Sequence, residues 1–189
     1  GVDFILLGDP EAAIASLISF DMDGRRAHGV MTPQKNHATP NYCEDLNTLP
    51  KPALDLLDMK KYHAPYIKSG HSFTLLLGGR GCPYLCTYCL YPQTMFGNFR
   101  ERSAKSIADE FLWISNNLPE IKEVLIDDDT FTMNKIRAQK VAQELININN
   151  KLLWTCEARA NLDKETLVLM KKSGCRLVVT GFESVSQDV

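Results

Sequence analysis

Hydrophobic and polar positions form two patterns along this chain, one typical of strands and one typical of helices, and the two patterns alternate in a regular order. Short apolar runs predict strands at residues 3–7, 73–77, 123–126, 152–156 and 176–182. Between the last four runs, apolar residues recur every three or four positions, which predicts helices. Strands that alternate with helices in this way favour parallel pairing through crossover connections, so a doubly wound sheet or part of a barrel is predicted from residue 71 onward.

Polar residues at the boundaries of the periodic stretches support the predicted helices. Ser103 and Asp163 each stand directly before such a stretch, where a side-chain oxygen can accept a hydrogen bond from the first turn. Asp9 has the same position before Pro10, and proline suits the first turn of a helix. Gly174 follows the last predicted helix, as is typical of a helix end.

Residues 21–69 interrupt this order with five prolines and many polar side chains, so they are predicted to form a connector. Within it, the apolar residues between 54 and 59 predict one short docked helix. The chain begins inside a predicted strand, and residues 186–189 look like the start of a helix. Both ends are therefore predicted to be cuts in a longer protein.

Composition and charge are those of an ordinary globular protein, with 44% hydrophobic and 23% charged residues. The 21 basic and 23 acidic side chains give a net charge of −2, and the basic ones are scattered. No nucleic-acid partner is therefore expected. No apolar run reaches the length of a membrane span and no stretch resembles a signal peptide, so a cytoplasmic location is predicted.

Three of the six cysteines stand in one loop directly after the predicted strand at residues 73–77. Three and then two residues separate Cys82, Cys86 and Cys89, so a short loop can bring their thiols to one metal centre. Thiolates are the usual ligands of iron–sulfur clusters, and three of them leave one iron for another ligand. A zinc site is the alternative and needs a fourth ligand such as His71 or Cys156. A disulfide fits poorly, since secretory features are lacking.

The spacing Cys-x-x-x-Cys-x-x-Cys after a first strand resembles the signature of the radical SAM superfamily. That resemblance implies an α/β fold, a partial (βα) radical SAM barrel, with a 4Fe-4S cluster whose open iron binds S-adenosylmethionine (SAM). It also implies a one-electron donor such as flavodoxin or ferredoxin, and a 5′-deoxyadenosyl radical that abstracts a hydrogen from the substrate. Tyr88 matches the aromatic position whose backbone lies beside the adenine, with packing in a tight loop as the alternative.

The end of the second barrel strand carries the run Asp-Asp-Asp-Thr-Phe-Thr. It resembles a run that takes the place of the family motif for the methionyl ammonium of SAM. The resemblance assigns Asp128 and Asp129 to that ammonium, whereas Asp127 is expected to belong to a solvated turn. Capping of the next helix is the alternative for the whole run.

The ends of the third and fourth strands carry further polar groups. Arg159 could fork onto the methionyl carboxylate of SAM, or form a surface ion pair with Glu157 or Asp163. The run Gly-x-Glu-Ser includes Gly181 and Glu183. By resemblance, Glu183 accepts hydrogen bonds from the ribose hydroxyls and Gly181 lets the backbone approach the nucleoside. A glutamate favoured by a helix dipole is the alternative for Glu183.

The likeness extends over the whole chain. Residues 1–31 resemble the end of a Rossmann-like cobalamin-binding domain, residues 32–70 its linker, and residues 71–189 the N-terminal part of the barrel. Residues 89–94, the acidic run and residues 154–161 look closest to the hopanoid-biosynthesis subgroup. Proteins similar to the anaerobic magnesium-protoporphyrin ester cyclase come next.

The implied reaction is a cobalamin-linked methyl transfer, cyclisation or rearrangement on a small-molecule or lipid-like substrate, either apolar and hopanoid-like or a tetrapyrrole. The chain has no Asp-x-His-x-x-Gly run, so a cobalamin site cannot be completed from these residues. One alternative is a radical SAM methylthiotransferase acting on tRNA or protein, although residues 1–60 offer only Cys43 for its extra cluster. The other is a non-catalytic zinc-binding module.

Overall fold

A computed structural model of the chain describes residues 1–68, 70–90 and 99–186. It forms two compact units, Gly1–Leu49 and Pro50–Val189. The predicted motif at residues 89–94 and the predicted helix start at residues 186–189 lie largely outside the described residues. None of the helices in the described parts of the chain is long and apolar enough to cross a membrane.

The first unit is built on one helix and a short two-stranded sheet. Strand β1 (Ile5–Leu6) pairs antiparallel with β2 (Val30–Met31), and helix α1 (Pro10–Ser19) follows β1. Ala13 and Leu17 of α1 pack with Ala27 and Val30 in a small apolar cluster. The predicted strand and helix are therefore both present, although the strand is shorter than the apolar run.

Asp9 precedes α1 as predicted, but its side chain does not cap the helix. Its Oδ2 instead accepts a hydrogen bond of 2.7 Å from the backbone N–H of Cys43. The prediction of a capping role is wrong, because a backbone donor 34 residues away takes the carboxylate. Asp9 thus ties the start of α1 to a later segment of the same unit.

The predicted linker, residues 32–70, divides between the two units. Its first part joins Gly1–Leu49, where Asn41 exchanges hydrogen bonds with Leu7 and Asp9. Its second part joins Pro50–Val189, and the predicted helix there is two separate 3-10 turns, Leu54–Leu56 and Met59–Lys61. Leu57 between the turns is extended, so the run does not continue as one helix.

The second unit is built on a four-stranded parallel sheet. The strands are β3 (Ser72–Leu76), β6 (Ile121–Ile126), β7 (Leu153–Arg159) and β8 (Cys175–Gly181), and they lie in that order. Helices α2 (Ala104–Asn117), α3 (Lys135–Asn147) and α4 (Lys164–Lys172) connect successive strands. A short antiparallel pair, β4 (Gly79–Arg80) with β5 (Arg100–Glu101), follows β3. The predicted α/β class with parallel βα units is confirmed.

Side-chain caps fix the starts of the three helices, and the sequence predicts two of them. Ser103 accepts a hydrogen bond from the N–H of Ser106, and Asp163 accepts one from the N–H of Thr166. Asn134 does the same at the start of α3. Each cap satisfies a backbone N–H that has no partner inside its helix, so the helix start is fixed locally.

One face of the parallel sheet packs on the three helices and forms the main core. Phe111 of α2, Val141 of α3 and Trp154 of β7 are fully buried there. Alternate residues point to the other face, where Leu75 and Val179 are exposed. Because all four strands run the same way, their carboxyl ends meet at one edge of the sheet.

Candidate functional site

A cavity of about 730 Å³ lies at the carboxyl ends of the parallel strands. Loops after β4, β6 and β8 and the last residues of β7 form its walls. All but one of the residues predicted to bind the cluster or SAM line it, namely Cys82, Cys86, Tyr88, Cys89, Asp129, Arg159, Gly181 and Glu183. The exception is Asp128.

The three loop cysteines are all half-buried, and none of them forms a disulfide. A hydrogen bond of 3.0 Å from the N–H of Cys89 to the carbonyl of Cys86 closes a tight turn between two of them. Among the described residues, no three His, Cys, Asp or Glu side chains converge closely enough to hold a single metal ion. In a multi-iron cluster each thiolate binds a different iron, so three thiols that line one cavity are a ligand set that a cluster can use.

Neither predicted fourth ligand for zinc lies at this cavity. Nδ1 of His71 is 3.6 Å from Oε2 of Glu123, and His71 directly precedes β3, at the amino end of the sheet. Cys156 is fully buried in the core between the sheet and the helices. A hydrogen bond to Cys175 and, after it, burial raise the pKa of its thiol. A cysteine buried in this way packs as a small hydrophobic residue.

Arg159 ends β7 and stacks on an aromatic ring at the cavity wall. Its guanidinium carbon lies 3.9 Å from the ring centre of Tyr84, which stands in the cysteine loop. Asp163, one of the two partners predicted for a surface ion pair, instead binds Lys135 at 2.7 Å. The guanidinium is thus held over the cysteine loop, where its N–H groups can meet an anionic ligand.

Tyr88 and Glu183 lie on opposite loops of the same cavity. The pKa of the Tyr88 hydroxyl is raised by desolvation, by the charges of Glu183 and Cys86, and by a hydrogen bond to Cys86. Glu183 has a φ of 51°, which is unusual for a residue with a side chain. A Cβ on Gly181 would lie 2.2 Å from Oε1 of Glu183, so glycine leaves the room that this side chain occupies.

Asp128 and Asp129 have different environments although they are neighbours. Asp129 lines the cavity, and its Oδ2 accepts a hydrogen bond of 2.8 Å from the N–H of Gly81. Asp128 does not line the cavity and is only 4% exposed. Burial raises its pKa, and the Arg137 guanidinium and the N–H groups of Gly79 and Gly78 oppose that shift.

The structure therefore gives Asp128 partners other than the predicted methionyl ammonium. It also excludes helix capping as the role of the acidic run, because Asn134 caps α3. Of the two assigned carboxylates, only that of Asp129 faces the space where a ligand could bind.

Two cavity residues with polar side chains, and a tyrosine near them, have no ligand-binding role in the sequence analysis. Tyr84 and Glu157 line the cavity. Burial raises the pKa of the Tyr66 hydroxyl, and the nearby charges of Asp127 and Glu157 raise it further. Burial, with the charges of Asp127 and Asp129, also raises the pKa of Glu157. Strand alternation places Glu157 on the same face of β7 as Arg159, a signal that could have found it. Tyr66 comes from the predicted linker, where no local pattern indicates a site.

The arrangement defines a class of protein: a parallel βα half-barrel with a three-cysteine loop after its first strand. Residues 76–189 match the family model described as the radical SAM superfamily. This match covers more than half of the chain, so the chain belongs to the radical SAM superfamily. The predicted membership is confirmed.

Two relatives are similar to this chain over nearly its whole length. An uncharacterized methyltransferase of Pyrococcus horikoshii is 29% identical over 98% of this chain and 41% of its own length. An anaerobic magnesium-protoporphyrin IX monomethyl ester cyclase of Synechocystis is 25% identical over 98% of this chain and 38% of its own. The chain thus spans about two fifths of either relative. The predicted similarity to the cyclase is confirmed, and the similarity to the hopanoid subgroup stays a prediction.

A solved structure supports the fold. The apo, selenomethionine-labelled form of OxsB, a cobalamin-dependent S-adenosylmethionine radical enzyme, superposes with a TM-score of 0.60. The match covers 98% of this chain and 28% of OxsB, at 16% sequence identity. At that identity the comparison shows a shared fold.

Proposed function

We propose that this chain is the SAM-cleaving part of a radical SAM enzyme with a cobalamin-type domain. The 4Fe-4S cluster, when bound, would supply one electron for the cleavage of SAM to methionine and a 5′-deoxyadenosyl radical. One observation carries the proposal. The thiols of Cys82, Cys86 and Cys89 line one cavity together with polar groups from three other strand ends.

The cavity residues have complementary roles in this proposal. The three cysteines would hold the cluster and leave one iron for SAM. Arg159 would bind the methionyl carboxylate through two parallel N–H donors, and Asp129 would accept hydrogen bonds from the methionyl ammonium. The two ends of the amino acid would thereby meet opposite charges, which orients it.

The nucleoside end of SAM would lie against the remaining cavity residues. Glu183 would accept hydrogen bonds from the ribose hydroxyls, and Gly181 would allow the backbone to approach the nucleoside. The backbone at Tyr88 would lie beside the adenine. These side chains would bind and orient the nucleoside, while the cofactors supply the difficult chemistry.

For the whole enzyme we propose cobalamin-linked methyl transfer on an apolar or tetrapyrrole substrate, with cyclisation or rearrangement as the related outcomes. The names of the relatives from Pyrococcus and Synechocystis support this class. Residues 1–31 would belong to the cobalamin-binding domain. Co-purification of cobalamin with the full-length protein tests this part independently of SAM cleavage.

We also propose a cytoplasmic enzyme that receives its electrons from a flavodoxin or ferredoxin. All six cysteines lie in the described part of the chain and none forms a disulfide there, which suits a reducing compartment.

Alanine substitution of the loop cysteines tests the proposed function. Cys82→Ala, Cys86→Ala and Cys89→Ala should each prevent anaerobic assembly of the cluster and abolish reductive cleavage of SAM, because each removes one of three ligands. Iron and sulfide content, the visible spectrum and 5′-deoxyadenosine formation are the measurements. Cys43→Ala, Cys156→Ala and Cys175→Ala are the matched controls and should retain the cluster.

Two results would contradict the proposal. Loss of the cluster in Cys156→Ala would indicate a four-cysteine site without an open iron. Zinc in equal amount to the protein, with no iron uptake, would instead indicate the non-catalytic zinc module.

A further inference from the structure

A buried ion pair holds the turn that leads into the cysteine loop. We infer that Asp128 and Arg137 are positioning residues, which fix the backbone of Gly78 and Gly79 and thereby orient the three cysteines that follow. The inference rests on the proposed function, because it takes the loop to be the cluster-binding segment. It gives Asp128 a role that differs from direct binding of SAM.

Asp128 accepts two backbone hydrogen bonds with one oxygen. Its Oδ1 lies 2.6 Å from the N of Gly78 and 2.8 Å from the N of Gly79, although both glycines precede it by about fifty positions. Two consecutive N–H groups can reach one acceptor only when the backbone turns around it. The carboxylate therefore determines how the chain leaves β3.

Arg137 holds the other side of the same turn. Its Nη2 donates to the carbonyl of Gly78 at 2.6 Å and lies 3.3 Å from Oδ2 of Asp128. Its Nε donates to the carbonyl of Arg102 at 3.0 Å. Arg102 follows the segment that carries the three cysteines, whereas Gly78 precedes it. A planar guanidinium can bridge these acceptors at fixed angles, which a lysine ammonium cannot do.

This close approach favours glycine at both positions, most strongly at Gly78. A Cβ on Gly78 would lie 2.7 Å from Nη2 of Arg137 and 3.0 Å from Oδ2 of Asp128. A Cβ on Gly79 would lie 3.2 Å from the carbonyl oxygen of Arg100 and 3.4 Å from Oδ2 of Asp128. The ion pair and the turn thus fill one space, and neither can shift without the other.

Asp129 extends the restraint to the residue before the first cysteine. Its Oδ2 accepts the N–H of Gly81 at 2.8 Å, and Cys82 follows directly. Neighbouring carboxylates of the loop after β6 therefore hold three of the four residues that precede Cys82. The loop after β6 thus orients the cysteine loop, which follows β4.

The location of the pair explains why it can act as a rigid support. The side chains of Asp128 and Arg137 are 4% and 5% exposed. A charge buried in the protein interior costs much free energy unless an opposite charge lies beside it. Loss of either residue would therefore leave an uncompensated charge in the interior. The pair will therefore persist in the folded protein with or without a cluster.

Amide hydrogen exchange of the metal-free full chain tests the inference. Asp128→Asn should accelerate exchange at residues 78–81 by about tenfold to a hundredfold, because charge-assisted hydrogen bonds are weakened. The rates are compared with those of β6 and β7, which report global stability. After reconstitution, the variant should also show a lower iron content and an altered electron paramagnetic resonance spectrum of the reduced cluster.

Glu123→Gln is the matched control. Glu123 is also a fully buried carboxylate that pairs with an arginine, with 2.7 Å between its Oε1 and Nη2 of Arg176, but it lies toward the amino end of the sheet. This variant should lower the stability of the protein and leave the exchange of residues 78–81 unchanged relative to the core. Equal acceleration in both variants would show that Asp128 acts through overall stability alone.

Arg137→Lys keeps the inference testable if Asp128→Asn does not fold. It preserves the positive charge beside Asp128 but cannot bridge Gly78 and Arg102, so exchange at residues 78–81 should again accelerate. A folded Arg137→Lys protein with wild-type exchange in this segment would overturn the positioning role. Failure of the wild-type chain to take up iron would defeat the proposed function instead, and the exchange result would be unaffected.

Discussion

At the scale of single residues, Arg159 shows how the site prepares a side chain for an anion. Its guanidinium lies over the Tyr84 ring, and the N–H donors of a planar guanidinium point along its own plane, away from such a ring. Asp129 is fixed in a comparable way, because it accepts the N–H of Gly81 as it lines the cavity. Arg159 and Asp129, a basic and an acidic group of the cavity, are therefore both held by the cysteine loop.

Arg159→Lys should weaken SAM binding by about tenfold to a hundredfold, since a lysine cannot form two parallel hydrogen bonds to a carboxylate. Equilibrium binding to the reconstituted protein measures the effect. Tyr84→Phe keeps the ring under Arg159 and is the control, with an affinity close to that of the wild type. Wild-type affinity in Arg159→Lys would remove Arg159 from the SAM site.

At the scale of elements, each helix returns the chain to the amino end of the sheet, and the turn into the next strand determines its register. Gly174 makes this turn between α4 and β8 with a φ of +103°. A Cβ there would lie 2.9 Å from the carbonyl oxygen of Leu152, immediately before β7. The turn therefore depends on both the left-handed backbone and the absence of a side chain.

Gly174→Ala should lower the free energy of unfolding by about 2–3 kcal/mol, the combined cost of the left-handed backbone and the overlap with Leu152. Gly70→Ala is the matched control: its φ is +79°, but a Cβ there meets no atom within 4 Å. It should cost only about 1 kcal/mol, from the backbone alone. Chemical denaturation measures both, and equal losses would show that the contact with Leu152 is unimportant.

At the scale of the whole second unit, the two ends of the parallel sheet differ in what their polar residues do. The carboxyl ends carry the cavity, whereas Glu123 joins several segments closer to the amino end. Its carboxylate accepts hydrogen bonds from Thr155 of β7, Arg176 of β8 and the N–H of Lys68. Burial raises the pKa of Glu123, but these hydrogen bonds, above all those from Arg176, outweigh burial and leave the pKa lowered.

The lowered pKa predicts how stability changes with acid. A carboxyl group whose pKa is lower in the folded state than in the unfolded state stabilises the fold when the pH is above the unfolded-state pKa. This stabilisation is lost as the pH falls through the folded-state pKa. Glu123→Gln should therefore cost about 1–3 kcal/mol at pH 7. The difference from the wild type should shrink as the pH falls below the ordinary value of 4.5. Urea unfolding at several pH values measures it, and a constant difference would contradict the prediction.

Much of the fold can be predicted because hydrophobic periods and helix caps are local. The apolar runs that predict β3, β6, β7 and β8 match the observed strands to within a few residues. The caps at Ser103 and Asp163 depend on an N–H only three positions away. Once four parallel strands are expected, their carboxyl ends must share one edge, so the cysteines, Arg159 and Glu183 are expected to meet there.

Only the tertiary structure separates residues that are equivalent in sequence. Asp128 and Asp129 are adjacent carboxylates, yet one lies buried against Gly78, Gly79 and Arg137 while the other lines the cavity. The carboxylate of Asp9 likewise binds Cys43 instead of its own helix. In both cases the partner is a backbone N–H more than thirty positions away, and a local pattern contains no information about such a donor. The order of the elements is thus a property of the sequence, whereas the partner of each buried charge is decided by which distant backbone groups the folded chain brings within hydrogen-bond distance.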